Sequence, residues 1–180
     1  HERDRYLAAL LSPANTRTDL IALAAFAAEV GRIALYVREP MMGRIRLQWW
    51  RERLESGASG GHPVAAAVIA AASRRDLPAA RLTGLIAAQE DGLDDRPFAD
   101  EAALLAHVDC IDGALFELAA KICGIATPSG FILDAGRAYG LAGPALRSRV
   151  EEVLETIGLA EAAHRRIGGY SGGMRQRLGV

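Results

Sequence analysis

At 180 residues the chain is long enough for one domain with a true core. Its 51% hydrophobic content is rich in alanine and leucine, which favour helix over strand. A formal net charge of -1 gives the chain as a whole no electrostatic attraction to nucleic acid or to an anionic membrane, and Lys121, the only lysine, sits in Ala119-Ala120-Lys121-Ile122-Cys123, which excludes a P-loop.

The spacing predicts a first helix over residues 17–37, entered through Asn15 or Thr16 as cap. Leu20, Leu23, Phe26, Val30 and Ile33 recur on it at helical spacing and form one apolar stripe. A second helix starts at Pro40 and runs through Trp49 and Trp50 to Leu54; adjacent residues point to different sides, so one tryptophan belongs to the core and the other to a cavity or a partner surface. Residues 56–61 are a glycine-rich loop. Pro63 opens a helix to about Ser73, and Pro78 opens another that ends near Gly92. The acidic run 91–97 reads as a turn. A long helix follows from Asp100 to Ile122, with Gly124 as its stop, and another covers 129–142 until Gly143-Pro144 breaks it. Helices over 146–157, 160–165 and from Ser171 complete the series.

No run alternates like a strand, so the fold class is all-α. The expected core includes Leu20, Leu23, Phe26, Val30, Leu47, Leu104, Leu115, Leu118 and Tyr139. Cys110 and Cys123 are too far apart for a CxxC pattern and are expected as buried thiols. No apolar run is long enough to span a membrane, and no signal peptide is read at the N-terminus.

Four segments carry a family resemblance: residues 4–11 (DRYLAALL), 20–29 (LIALAAFAAE), 38–52 (REPMMGRIRLQWWRE) and 135–142 (AGRAYGLA). Together they make residues 4–147 resemble the squalene/phytoene synthases, and the run from Glu39 to Glu52 is similar to the complex I assembly-factor-like branch. The resemblance implies a truncated isoprenoid-synthase-like helical bundle. It also implies a reaction in which two prenyl diphosphates join head to head while two aspartate-rich motifs hold magnesium against the leaving groups. At the corresponding places this chain reads Gly31-Arg32-Ile33-Ala34-Leu35 and Pro144-Ala145-Leu146-Arg147-Ser148, without a carboxylate.

The expected function is therefore a domain without prenyl-transfer catalysis that binds a prenyl-like lipid or a protein partner. Arg38, Arg46, Trp49, Trp50 and Tyr139 are the candidates for the cavity or a diphosphate. The arginines at 44, 46, 51 and 53 form a solvated face or contact a diphosphate or an acidic partner. No metal ligand and no cofactor is expected; magnesium enters only if the chain is an active transferase. Asp91 and Asp95 have D-x-x-x-D spacing, for which Gly92 and Pro97 favour a turn over a metal motif. Asp109 and Asp112, one turn apart, read as a polar stripe.

The last residues do not fit this family. Residues 169–179 (GYSGGMRQRLG) resemble the signature motif of ABC-transporter ATPases, and 150–167 resemble the helical stretch before it. In those ATPases the signature amides hold a γ-phosphate at a helix N-terminus, which would assign Ser171, Gly172, Gly173 and Gln176 here. The P-loop that such a site needs is not in the chain. The division expected is a synthase-like helical domain over 1–148 and a signature fragment as a C-terminal helical appendage over 149–180. The alternatives are an active prenyl transferase, an ABC-type ATP-binding half-site, and a chimeric chain with no selected function. The place expected is the cytoplasm or a membrane periphery, with no nucleic-acid partner.

Overall fold

A computed structural model describes residues 2–37, 39–94, 98–125 and 130–141. The chain divides into two compact units, His1–Gly140 and Leu141–Val180, and the helices below belong to the first but for residue 141. The described residues form helices and turns with no strand, so the fold is all-α. The elements are α1 (Glu2–Leu11), α2 (Ala14–Tyr36), α3 (Pro40–Ser56), α4 (Pro63–Arg75), α5 (Ala79–Asp91), α6 (Glu101–Val108), α7 (Ala114–Ile122) and α8 (130–141).

α2 is the central helix. Leu23, Phe26, Val30 and Ile33 form its buried stripe, and α1, α4, α5 and α7 pack around it. Pro13, not Asn15 or Thr16, occupies its capping position, and no side chain caps it; the Thr16 hydroxyl instead donates to the Pro13 carbonyl at 3.0 Å. Leu47 and Trp50 of α3 complete the core from one side, with the Trp50 ring edge-on to Phe26 at 5.4 Å. Arg51 and Arg44 of α3 pair with Glu90 at 2.8 Å and Asp94 at 2.6 Å, tying α3 to the end of α5 and the turn after it. Asp19 of α2 is buried and takes Arg74 and Arg75 from the last turn of α4 at 2.7 and 2.6 Å.

The expected core is seen for Leu23, Phe26, Val30, Leu47, Leu115 and Leu118, which are buried. Leu20, Leu104 and Tyr139 are only half-buried. Leu20 and Tyr139 face a cavity instead. Cys110 and Cys123 are both exposed, against the expectation of buried thiols. Cys110 sits on the outer side of a helical turn, and Cys123 lies just past the end of α7.

Two features depart from the pattern of the sequence. α1 is a full helix, although its residues show no apolar stripe. The helix expected over 100–122 is interrupted by a wide π-turn, Asp109–Gly113, between α6 and α7. Asp100 caps the start, accepting from the Ala103 amide at 2.7 Å. Gly124, at φ 68°, ends α7 in the left-handed conformation, and the Ile125 amide returns to the Ala120 carbonyl at 2.9 Å.

Candidate functional site

α1, α2, α7 and α8 line a half-open cavity of about 550 Å³. Its wall is mostly aliphatic and aromatic: Leu20, Leu23 and Ala24 from α2, Leu115 and Phe116 from α7, Ile132 and Ala135 from α8. The alternation of alanine with larger residues opens the space. Ala8 and Ala9 of α1 and Ala119 and Ala120 of α7 line it too, and their short side chains keep the facing helices from filling the volume.

One end of the cavity is polar. Asp4 and Arg5 of α1 meet Tyr139 of α8 there, with the Arg5 guanidinium carbon 5.4 Å from the centre of the Tyr139 ring. Arg5 also pairs with Asp112 of the π-turn. Burial pushes the Asp112 carboxyl above the ordinary carboxylate range, and the Arg5 charge offsets part of that rise. Burial likewise raises the Tyr139 phenol; Arg5 opposes the rise, while Asp4 and Asp112 add to it. The Arg5 Nε is buried and has no hydrogen-bond partner among the described residues.

The π-turn is braced from α8. Arg137 forks onto Asp109 at 2.7 and 2.8 Å. Gly136 has room for no side chain: a Cβ there would lie 2.6 Å from the Gly113 Cα. Gly136→Ala is therefore expected to push α8 away from α7 at a cost of about 1–3 kcal/mol, read as an earlier urea midpoint. An unchanged midpoint would mean that α8 does not seat on the π-turn.

Of the residues singled out from sequence, Tyr139 lines the cavity. Trp50 is in the core, and Trp49 packs against His62 at 5.5 Å and under Arg53 at 5.7 Å, away from the cavity wall. Arg46 is exposed on α3 and does not line the cavity either. Asp91 is exposed at the end of α5. Arg38, Asp95, Ser171, Gly172, Gly173 and Gln176 lie outside the described residues. In the sequence Asp4 and Arg5 stand only within the run 4–11 (DRYLAALL). With α1 not foreseen as a helix, nothing in the sequence aimed them at a shared site with Tyr139.

The described residues do not fit a magnesium ion. Asp4 is the only carboxylate among the described residues that line the cavity, and it stands beside the Arg5 guanidinium. Asp109 and Asp112 are each engaged by an arginine, and no group of three or more His, Cys, Asp or Glu among the described residues is placed to hold a metal.

The sequence pattern of the squalene/phytoene synthases matches residues 1–143. NADH dehydrogenase (ubiquinone) complex I assembly factor 6 of Bos taurus is 31% identical over 123 residues, which cover 67% of this chain and 37% of that protein. An uncharacterized ABC transporter ATP-binding protein of Bacillus subtilis is 54% identical over 54 residues, 30% of this chain and 18% of that protein. The doxorubicin resistance ATP-binding protein of Mycobacterium tuberculosis is 49% identical over 45 residues, 25% of this chain and 14% of that protein. The chain thus spans well under half the length of each of these relatives. The 54-residue match is longer than the stretch beyond residue 143, so the two likenesses overlap within the chain. No solved structure matches the chain. The extent of the family match, carried by an all-α bundle, shows that the chain belongs to the squalene/phytoene synthase family.

Proposed function

We propose that the helical domain binds a prenyl-like lipid in its cavity and does not join prenyl diphosphates. The cavity carries this reading: its size is that of a small-molecule site, its wall is apolar, and a few polar groups converge at one end. The alkyl chain would lie along Leu20, Leu23, Leu115, Phe116 and Ile132. The head group would meet Tyr139 and the Nε of Arg5, which has no partner among the described residues. Of the other candidates, Trp50 belongs to the core, while Arg46 and Trp49 stand away from the cavity and fit contact with a partner better. Departure of a diphosphate needs its charge neutralised, and a site with one carboxylate beside an arginine supplies no magnesium ligand set for it.

The expected result is saturable binding of geranylgeraniol, followed by calorimetry. Ala24→Phe, which puts a ring into the cavity, should weaken it about tenfold or more, a difference of about 1.4 kcal/mol. Incubation with farnesyl or geranylgeranyl diphosphate and magnesium should give no squalene- or phytoene-type hydrocarbon above a protein-free control. Hydrocarbon above that control would overturn the non-catalytic reading, and binding indifferent to Ala24→Phe would overturn the cavity assignment.

A second reading rests on the relatives. The similar mammalian proteins are named as assembly factors of complex I, which favours a protein partner that is itself part of a larger assembly. We also propose a division into a synthase-like domain over 1–148 and a signature fragment over 149–180. On it, Ser171, Gly172, Gly173 and Gln176 would be an orphan helix start with no ATP turnover, since the P-loop lysine is not in the chain.

A further inference from the structure

The polar end of the cavity has an opposite. α1 and α2 meet in a short turn, and the Arg17 guanidinium donates back to the Ser12 carbonyl at 3.0 Å. The end of α4 reaches the same place, where Arg75 donates to the Asn15 carbonyl. The end of α7 joins them through Lys121, which pairs with Asp76 just beyond α4 at 3.2 Å. Ser12, Cys123, Ile125 and Phe131 line the cavity here.

Large apolar side chains surround this opening and face solvent: Leu11 is 88% exposed, Phe131 71% and Ile125 54%. Ile125 and Phe131 belong to the cavity wall and to the outer surface at once. Around them stand four cations, Arg17, Arg74, Arg75 and Lys121, against two carboxylates, Asp19 and Asp76. Asp19 is buried beneath its arginines, so the surface at this end is positive although the whole chain is not.

We infer that this end of the bundle docks on an anionic bilayer surface, with Leu11, Ile125 and Phe131 in the head-group layer and Arg17, Lys121, Arg74 and Arg75 over the lipid phosphates. The inference rests on the lipid-binding reading and adds the face by which the cavity meets its lipid. The physics is that of an interfacial anchor: exposed apolar side chains supply area, and a basic rim supplies attraction that falls off within a Debye length. A protein partner would need a patterned surface opposite a rim whose cations are already half-paired. A lipid surface needs only the apolar tip and the excess of positive charge. It also explains why the same two side chains, Ile125 and Phe131, serve both wall and exterior.

The test is sedimentation of the full chain with vesicles of phosphatidylcholine mixed with phosphatidylglycerol, and with phosphatidylcholine alone. Binding is expected to the mixed vesicles, to weaken as salt is raised, and to fall about tenfold or more in Leu11→Asp and in Lys121→Glu. Both side chains are exposed and neither lines the cavity, so helicity and calorimetric binding of geranylgeraniol should stay as in the parent. Met41→Asp, in the exposed apolar group of Leu35, Tyr36, Met41, Met42 and Ile45, is the control and should change nothing. Equal binding to both vesicle types, no binding to either, or sensitivity to Met41→Asp but not to Leu11→Asp would overturn the inference. A change of self-association in Leu11→Asp, without vesicle binding by the parent, would replace the membrane with a second copy of the chain. Geranylgeraniol binding without vesicle binding would refute the docking face alone; loss of geranylgeraniol binding in the parent would refute the cavity reading on which it stands.

Discussion

Asp19→Ala is expected to lower stability by about 3 kcal/mol, the lower part of the range for removing one partner of a buried pair. The Asp19 side chain is 3% exposed and the Arg74 side chain 55%, so water screens the arginines more than the carboxylate and the upper part of that range does not apply. The loss comes from two sources: Arg74 and Arg75 are released, and the link from α2 to the end of α4 is cut. Burial alone would raise the Asp19 carboxyl, but the hydrogen bonds and charges of Arg74 and Arg75 outweigh it and hold the group below its ordinary value of 3.8. A carboxyl depressed in the folded state stabilises fully above its unfolded value, and the contribution is lost as pH falls through the folded one. The parent should therefore lose stability on acidification below 3.8, while Asp19→Ala should lose less over the same window. Urea midpoints across acid pH read both effects; parallel curves for the two proteins would refute the role given to Asp19.

Phe26→Ala should cost about 3–5 kcal/mol. Phe26 is fully buried and touches the Trp50 ring edge-on, and it stands at the middle of the stripe that α3, α4 and α5 all use. Leu47, Ile86 and Val68 of the same core cluster are themselves fully buried, which limits how far they can move in to fill the gap. Trp50 fluorescence should shift to the red as water enters beside it. A loss under about 1 kcal/mol would mean that the core collapses around the hole more freely than its density implies.

What the sequence made legible was the part governed by local rules. Alanine- and leucine-rich periodicity and proline starts placed α2, α3, α4, α5 and α8 within a few residues, and the stripe on α2 was read directly. What escaped depends on neighbours distant in the chain. α1 is mostly exposed and carries a single buried residue, Ala9, so its apolar periodicity has no stripe to show. The π-turn has the sequence Asp109-Cys110-Ile111-Asp112-Gly113, in which no residue announces a wide turn. It is matched by Arg5, near the start of the chain, and by Arg137 of the following helix α8. The polar end of the cavity was illegible for the same reason: Asp4 and Tyr139 are near opposite ends of the domain, and only the packing of α1 on α8 brings them together. Trp49 and Trp50, the most conspicuous pair in the sequence, turned out to sit beside His62 and Phe26, away from that cavity.

The π-turn fixes the angular phase of α7. An α-helix advances about 100° per residue, so one surplus residue between Val108 and Ala114 rotates α7 about its own axis relative to α6. That rotation is what points Leu115, Leu118 and Ile122 at the core, and it leaves Phe116, Ala119 and Ala120 to line the cavity. Loss of a single codon from this turn would leave α7 helical and still amphipathic, but with its apolar side swung round by more than a quarter of a circle. The cavity therefore depends on the count of residues in one turn as much as on the identity of those that line it.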